Sequence, residues 1–172
     1  MSLVGTFKSL APNTAVRPND GVPTLQYGAL CYRLQQKTLQ ILLITSRDTG
    51  RWLLPKGWPV DGLSPPEVAA REAWEEGGVV GHITYECVGH LSYTKVLPDL
   101  SGMLCTIAVY PLKVASLAKR YPERNQRRRK WVALHKAGAM LQEPEAISLL
   151  SAFGTHPMAQ YGGKAARPHG RG

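Results

Sequence analysis

One strongly marked helix most constrains how this chain of 172 residues can fold. Ser64 is a favourable helix N-cap, Glu67 completes a capping box three residues later, and Pro65 occupies the first helical position. Gly77 and Gly78 then provide a stop signal. The pattern predicts a helix that begins at Pro65 and ends at the two glycines.

The faces of the predicted helix differ in chemistry. Its small side chains fall on one face: Ala70, Ala73 and Gly77. At about 100° per residue, three carboxylates share another face: Glu72, Glu75 and Glu76. The small residues would let the helix lie close to a sheet, so the acidic face is expected to point away from that sheet. Like charges at this spacing destabilise a helix, which indicates that a positive charge from elsewhere balances them.

Two interpretations of the acidic face remain open at this point. Convergent carboxylates form the oxygen-rich site that hard divalent cations such as Mg²⁺ or Mn²⁺ prefer. Alternatively, the face is a surface patch in which Arg71 pairs with Glu75 or Glu67 at four-residue spacing. Helix spacing alone does not decide between them.

The segments around the helix alternate as strands should. β-branched and aliphatic runs predict two strands in a hairpin, a short third strand and a later pair joined by a Pro-Asp-Gly turn. A strand that passes into a short helix and a closing amphipathic helix follow. In order, these segments are 24–34, 38–46, 51–55, 83–96, 102–114, 130–141 and 143–153.

The length suits one domain, which we place at residues 23–153. Residues 1–22 have the composition of a flexible arm and residues 154–172 that of a basic, disordered tail. No apolar run approaches the roughly 18 residues of a membrane span, and the first residues do not resemble a secretory signal. Three widely spaced cysteines suit reduced thiols. We therefore expect a cytoplasmic protein without membrane contact.

The basic charge of the chain is unevenly distributed. The formal net charge is +9, and residues 113–130 contain eight basic residues against one acid, Glu123. Such a segment suits a phosphorylated partner, whether a small molecule or a nucleic acid, but it equally suits a solvated surface.

The segment from Gly57 to Val79 resembles the signature of the Nudix hydrolases. After Gly57 come five residues, then Leu63, then seven residues, and then the run Arg71-Glu72-Ala73-Trp74-Glu75-Glu76-Gly77-Gly78-Val79. Leu63 stands where the signature has its first glutamate, which puts the bracing of the loop in doubt. The resemblance implies an α/β fold, an α/β/α sandwich around a central mixed sheet.

The resemblance also implies functional residues. The catalytic residues would be Arg71, Glu72 and Glu75, with Glu72 or Glu75 as the general base. Mg²⁺, or Mn²⁺ in its place, would be held by Glu72, Glu75, Glu76 and the backbone carbonyl of Lys56. The residues expected to bind substrate phosphates are Ser46, Arg47, Lys56, Gly57, Arg127, Arg128, Arg129 and Lys130.

Three functions remain in competition. The surroundings of the signature look like the branch that hydrolyses diadenosine and diphosphoinositol polyphosphates, so a Mg²⁺-dependent hydrolase of such a phosphorylated small molecule is the leading prediction. A pyrophosphohydrolase of RNA 5′ ends would also use the basic segment. A non-catalytic nucleotide-binding module is the third possibility, although it would be expected to lose the paired glutamates. The sequence predicts no oligomeric state.

Overall fold

The computed structural model describes residues 22–157 and residue 159. Eight strands and three helices form from these residues. In chain order they are β1 (Thr24–Gln35), β2 (Thr38–Thr45), β3 (Trp52–Leu53), β4 (Lys56–Gly57), α1 (Pro65–Gly77), β5 (Val79–Ile83), β6 (Gly89–Val96), β7 (Gly102–Leu117), β8 (Arg129–Ala133), α2 (Leu134–Met140) and α3 (Ala146–Thr155).

All eight strands belong to one mixed sheet. Its main path runs β3-β2-β1-β7-β5, while β4 pairs with β1, β6 with β7 and β8 with β2. Strands β1 and β7 are parallel, from Thr24 opposite Cys105 to Tyr32 opposite Lys113, and the other pairs are antiparallel. This sheet brings β4, which carries the glycine of the signature, next to the central strand β1.

Helices cover both faces of the sheet. Alternate residues of β1 contribute to two separate cores, because successive strand side chains point to opposite faces. Ala29 and Cys31 pack with Ala69 and Ala73 of α1. Leu30 and Tyr32 pack with α2 and α3, where the rings of Tyr32 and Phe153 meet edge to face at 5.1 Å. The predicted α/β/α sandwich around a mixed sheet is confirmed.

The structure corrects one predicted strand. Residues 83–96 do not form a single strand, because β5 ends at Ile83 and β6 begins only at Gly89, with irregular backbone between them. Strand β5 itself was missed. It is short and its middle residues, including Val80 and His82, are exposed, so it lacks the apolar alternation that reveals a strand from sequence.

The predicted domain, residues 23–153, begins and ends close to the first and last residues that the structure describes. Strand β1 begins at Thr24, close to the predicted start, and α3 continues to Thr155, two residues past the predicted end of the closing helix. The rest of the predicted arm, residues 1–21, lies outside the described residues, as do residue 158 and residues 160–172 of the predicted tail. No helix within the described part of the chain is long and apolar enough to cross a membrane.

Candidate active site

Helix α1 is fixed at both ends, which sets the position of its glutamates. At the start, the Glu67 carboxylate accepts hydrogen bonds of 2.7 Å from both the backbone N–H and the hydroxyl of Ser64, and these bonds lower the pKa of Glu67. Glu67 is therefore used by the cap, and Arg71 pairs with Glu75 instead. At the end, Gly78 adopts a left-handed conformation with φ 64°, and Arg129 donates a 2.8 Å hydrogen bond to the Gly77 carbonyl.

Gly57 is required because the Glu72 side chain occupies the space beside it. A Cβ at position 57 would lie 2.2 Å from the Glu72 carboxylate, far inside van der Waals contact. Strand β4 therefore presents bare backbone to the first glutamate of the helix. The glycine of the signature has a steric role here that depends on α1 and β4 lying side by side.

The three glutamates have different surroundings. Glu75 forms an ion pair of 2.8 Å with Arg71, as in the surface-patch interpretation. Burial, together with the charges of Glu75 and Glu123, raises the pKa of Glu72 to about 7. Of these two carboxylates, Glu75 has a cationic partner, whereas the ionised form of Glu72 is poorly stabilised.

Glu76 does not point away from the sheet, contrary to the prediction. It is only 6% exposed, on the same buried face of α1 as Ala69 and Ala73. Its carboxylate accepts the backbone N–H of Lys56 at 3.4 Å. Burial raises the pKa of Glu76 to about 8; Arg127 opposes the rise, and the neighbouring charge of Glu72 adds to it.

The missing positive charge comes from Arg127, on the approach to β8. Its guanidinium lies 3.2 Å from a Glu76 oxygen, donates to the Thr45 carbonyl at 3.0 Å and contacts the Glu123 carboxylate. Glu123 is brought to α1 by its own N–H, which donates to the Glu75 carbonyl at 3.0 Å. Arg127 was predicted to bind substrate, but the structure places it among the carboxylates.

The donor set suits a hard divalent cation. No group of three or more His, Cys, Asp or Glu side chains stands ready to hold a metal ion within residues 22–157. Glu72 and Glu76 nevertheless offer carboxylate oxygens on one stretch of α1, and the repulsion from Glu72 contributes to the raised pKa of Glu76. A cation between such groups relieves that repulsion. The four predicted ligands, Glu72, Glu75, Glu76 and the Lys56 carbonyl, all stay predictions.

The predicted basic cluster is divided by the alternation of the backbone. Arg127 contacts the carboxylate of Glu76. Arg129 donates hydrogen bonds to the carbonyls of Gly77 and Ala118 at 2.8 and 3.0 Å. Arg128 and Lys130 are exposed instead, with the Arg128 guanidinium 5.5 Å from the Trp52 ring. The structure does not bring the four residues together on one surface.

The remaining predicted phosphate-binding residues lie around the β2–β3 turn and β4. The Ser46 hydroxyl is 2.6 Å from that of Thr49 and holds the turn, while Arg47 reaches toward Glu123 at 3.7 Å. Lys56 lies closest to the glutamates, and burial lowers its pKa.

Beside Lys56 lies a cavity that the sequence did not reveal. It has a volume of about 420 Å³, and its walls include Arg51, Ser92, Tyr93, Leu104, Gln142 and Pro144. The Tyr93 ring lies 5.0 Å from the Lys56 ammonium and 5.6 Å from the Arg51 guanidinium, and its hydroxyl donates to Gln26. An aromatic residue in a strand usually indicates core. The sequence therefore offered no reason to place the Tyr93 ring in the wall of a cavity.

Comparison with known proteins relates this arrangement to one family. Residues 24–153 match the family model described as NUDIX domain. Nudix hydrolase 21, chloroplastic, from Arabidopsis thaliana is 34% identical over 131 residues, which are 73% of this chain and 64% of that protein. Nudix hydrolase 16, mitochondrial, from the same plant is 34% identical over 111 residues, 63% of this chain and 61% of that protein. The chain thus spans less than two thirds of the length of these curated relatives.

Solved structures show the same fold at lower identity. The C. elegans Ap4A hydrolase has a TM-score of 0.55 at 21% identity, over 77% of this chain and 96% of that one. The E. coli dihydroneopterin triphosphate pyrophosphohydrolase has a TM-score of 0.58 at 16% identity, over 75% of this chain and 93% of that one. The fold is therefore shared with proteins whose names give different substrates.

Proposed function

This chain belongs to the Nudix family, and from that premise we propose that it is a pyrophosphohydrolase that cleaves a phosphoanhydride bond in a nucleoside diphosphate linked to a further group. Its preferred substrate in this proposal is a diadenosine polyphosphate, ahead of a diphosphoinositol polyphosphate. The reaction depends on a divalent cation, Mg²⁺ or Mn²⁺.

The observation that carries the proposal is the pair of poorly stabilised carboxylates on α1. Glu76 is 6% exposed, and the pKa values of Glu72 and Glu76 are raised to about 7 and about 8. Carboxylates that serve only structure are usually paired well enough to have low pKa values. Two carboxyl groups with raised pKa values, about one helical turn apart on α1, support a site that a cation completes.

The residues of this chain divide the chemical work in the proposal. Glu72 and Glu76 would hold the cation, which when bound neutralises substrate phosphates and acidifies water. Either Glu72 or Glu75 takes the proton of the attacking water, and Arg71 keeps Glu75 in place through their 2.8 Å ion pair. The Lys56 ammonium, which lies 5.0 Å from the Tyr93 ring in the cavity wall, offers its charge to the phosphate chain.

The cavity beside Lys56 favours a nucleotide over an inositol phosphate. Its walls combine the Tyr93 ring with the apolar side chains of Leu104 and Pro144. Flat nucleobases pack well on such surfaces, whereas an inositol ring carrying phosphates needs cationic groups on all sides. The name of the structurally similar C. elegans protein, an Ap4A hydrolase, is in line with this choice.

RNA remains the second candidate because of one surface feature. Arg120, Arg124, Arg128 and Lys130 are all exposed in the late basic segment. Exposed cations of this kind bind phosphate backbones in a salt-dependent manner. A 5′-triphosphorylated RNA therefore belongs in any substrate comparison.

A substrate panel tests the proposal. Wild-type protein is incubated with Mg²⁺ and, separately, diadenosine tetraphosphate, ATP, a diphosphoinositol polyphosphate and triphosphorylated RNA, and the products are separated by chromatography. We expect diadenosine tetraphosphate to give the highest kcat/KM. Glu72→Gln should reduce it about 100-fold or more, whereas Glu86→Gln, which makes the same change at an exposed site, should not.

Two results would reject this assignment. Equal turnover by wild type and Glu72→Gln at saturating Mg²⁺ would remove α1 from the chemistry. Binding without turnover of any substrate would favour the non-catalytic module. The cytoplasmic location also stays a prediction, to be checked by imaging a tagged full-length protein, since the names of the two relatives above place them in chloroplasts and mitochondria.

A further inference from the structure

Arg51, the residue before β3, carries a guanidinium that the protein itself uses little. Within the described part of the chain it makes one hydrogen bond, of 3.4 Å to the Gln142 side chain. Its ion pair with Glu143 has a nitrogen-to-oxygen distance of 3.6 Å, longer than the roughly 2.7–2.9 Å of a direct charge-assisted hydrogen bond. A guanidinium carries several N–H donors in a rigid fork, so most of those of Arg51 have no acceptor among the described residues.

The unused donors of Arg51 are open to the cavity beside Lys56. Arg51 lines this cavity, and 23% of its side chain is exposed. Its guanidinium lies 5.6 Å from the ring of Tyr93, which is also part of the wall. Among the described residues that are not exposed, no buried side-chain nitrogen lacks a hydrogen-bond partner, so the unused nitrogens of Arg51 are not enclosed in protein. They face the space that Arg51 lines.

The ion-pair partner of Arg51 is buried. Only 2% of the Glu143 side chain is exposed, and its Oε2 has no hydrogen-bond partner in the described part of the chain. Glu143 lies in the loop between α2 and α3, which is joined to β6 because Glu145 accepts the Ser92 backbone N–H at 3.0 Å. A buried carboxylate stays ionised only beside a cation, and Arg51 lies within ion-pair distance. The loop therefore holds a negative charge next to Arg51.

The cavity is also connected to the glutamates of the candidate site. The Lys56 N–H donates to Glu76 at 3.4 Å, and the Lys56 ammonium lies 5.0 Å from the Tyr93 ring that Arg51 also approaches. Burial lowers the pKa of Lys56, and the positive charge of Arg51 contributes to the shift. Two cations that repel each other in this way favour an anion between them. A phosphate chain that runs from the glutamates into the cavity would meet both cations.

We propose that Arg51 determines the affinity for the phosphate chain and that Glu143 is its positioning residue. The Arg51 guanidinium, kept in the cavity wall by the buried carboxylate, donates hydrogen bonds to the phosphate attached to the nucleoside in the cavity. The inference rests on the proposed function, since it assigns two residues to the binding of the same substrate. A guanidinium without a counter-ion is costly to bury, so without Glu143 the long side chain of Arg51 turns toward solvent.

Phosphate is the chemistry that suits these donors. Phosphate oxygens are acceptors, and a guanidinium can donate to two of them at once. The side chains of Leu104 and Pro144 provide an apolar part of the same wall, which a nucleobase can contact. The cavity therefore combines an apolar surface for the nucleoside with a cationic group for its phosphate. Glu143 contributes through its charge, which explains why a carboxylate with an unpartnered oxygen is retained.

The test compares a charged and an uncharged ligand, ADP and adenosine, whose dissociation constants are measured by calorimetry in the presence of Mg²⁺. Wild type should bind ADP more tightly. In Arg51→Gln this preference should fall about 10- to 100-fold, because hydrogen bonds from a charged donor are lost, while the affinity for adenosine changes by less than about twofold. In Glu143→Gln the preference should fall about fivefold, because Arg51 is held less well. Both variants should raise KM for diadenosine tetraphosphate and change kcat by less than about threefold.

The double variant tests whether Glu143 acts through Arg51. Adding Glu143→Gln to Arg51→Gln should cause no further loss of the preference for ADP. The double variant leaves neither buried charge unpaired, so it tests Arg51 even if a single variant does not fold. Glu86→Gln makes the same change as Glu143→Gln at an exposed position and should keep the wild-type preference.

Wild type that does not bind ADP more tightly than adenosine, or that binds neither, would overturn the inference. Equal losses of affinity for ADP and adenosine in Arg51→Gln would do the same, because they would mean that the ion pair only supports the fold. A rise in ADP affinity in Glu143→Gln would show that the carboxylate weakens the charge of Arg51 rather than positioning it. Failure of the proposed function is distinguished by the absence of turnover in wild type, which leaves these binding constants measurable.

Discussion

The Arg127 guanidinium lies 3.2 Å from the carboxylate of Glu76, and only 8% of each side chain is exposed. Arg127 lies just before β8 and Glu76 lies on α1, so the contact joins residues 51 positions apart. A second contact of the same guanidinium, with the Thr45 carbonyl at 3.0 Å, ties β2 to this point. The pair therefore connects the glutamates of the candidate site to the sheet.

The first prediction concerns the stability that depends on this pair. At pH 9, above the Glu76 pKa of about 8, Arg127→Met should lower the free energy of unfolding by about 3 kcal/mol or more, because it leaves the ionised Glu76 buried without its counter-ion. Urea denaturation followed by circular dichroism measures the change. Arg124→Met, at an exposed position nearby, should change the free energy by less than about 0.5 kcal/mol. A loss below about 1 kcal/mol for Arg127→Met would show that the pair is dispensable to the fold.

The second prediction follows from the raised pKa values of Glu72 and Glu76, about 7 and about 8. Both exceed the ordinary carboxyl value of 4.5, so the folded protein without a cation binds more protons than the unfolded chain between those limits. Its stability should therefore fall as the pH rises through this window. Mg²⁺ competes with those protons, so 10 mM Mg²⁺ should raise the Tm more at pH 8 than at pH 5.5.

Glu72→Gln provides the control for this pH dependence. The variant removes one titrating group but keeps the pair of Arg127 with Glu76, so the decline in Tm with pH should become shallower and the effect of Mg²⁺ smaller. Differential scanning fluorimetry across the pH range measures both. An unchanged slope and an unchanged Mg²⁺ effect would exclude Glu72 from cation binding.

The third prediction concerns the glycine of β4. In Gly57→Ala the added Cβ would lie 2.2 Å from the Glu72 carboxylate, so the carboxylate must move. Activity with Mg²⁺ should fall about tenfold or more, since a misplaced carboxylate no longer fits the reacting geometry. Gly62→Ala is the matched variant, because Gly62 has φ 83° and no atom within 4 Å of an added Cβ.

The two alanine variants should differ in what they damage. Gly62→Ala should lower the free energy of unfolding by about 1 kcal/mol through backbone strain and leave the Mg²⁺ affinity unchanged. Gly57→Ala should weaken Mg²⁺ binding measured by calorimetry. A normal Mg²⁺ affinity in Gly57→Ala would contradict the proposed contact between Glu72 and the cation.

Local signals in the sequence accounted for much of the fold. The capping box at Ser64 and the glycine stop at Gly78 depend on neighbouring residues alone, and both are present as predicted. The burial of Glu76 was not foreseen, because its partner Arg127 comes from a segment distant in sequence, just before β8. Helix periodicity places a carboxylate on a face but does not say which element will cover that face.

The division of the basic run could have been derived from the sequence. A strand was predicted to begin near Lys130, and alternating residues of a strand point to opposite sides. Extending that alternation back to Arg127 would have separated Arg127 and Arg129 from Arg128 and Lys130. The cavity beside Lys56 could not have been found in this way, because it depends on how the loop after α2 meets β6.

The last prediction is that the exposed half of the basic run distinguishes substrates by phosphate number. Arg128 and Lys130 are exposed and free to meet added phosphates, whereas Arg129 donates to two backbone carbonyls near the end of α1. The double variant Arg128→Ala/Lys130→Ala should therefore raise KM for diadenosine hexaphosphate more than for the triphosphate and leave kcat nearly unchanged. Arg129→Ala should instead lower the Tm. Added salt should reproduce the effect of the double variant, because exposed charges are screened beyond about 8 Å at physiological ionic strength. Equal increases in KM for both substrates would show that these residues attract anions regardless of phosphate number. No increase for either substrate would show that Arg128 and Lys130 do not contact the substrate.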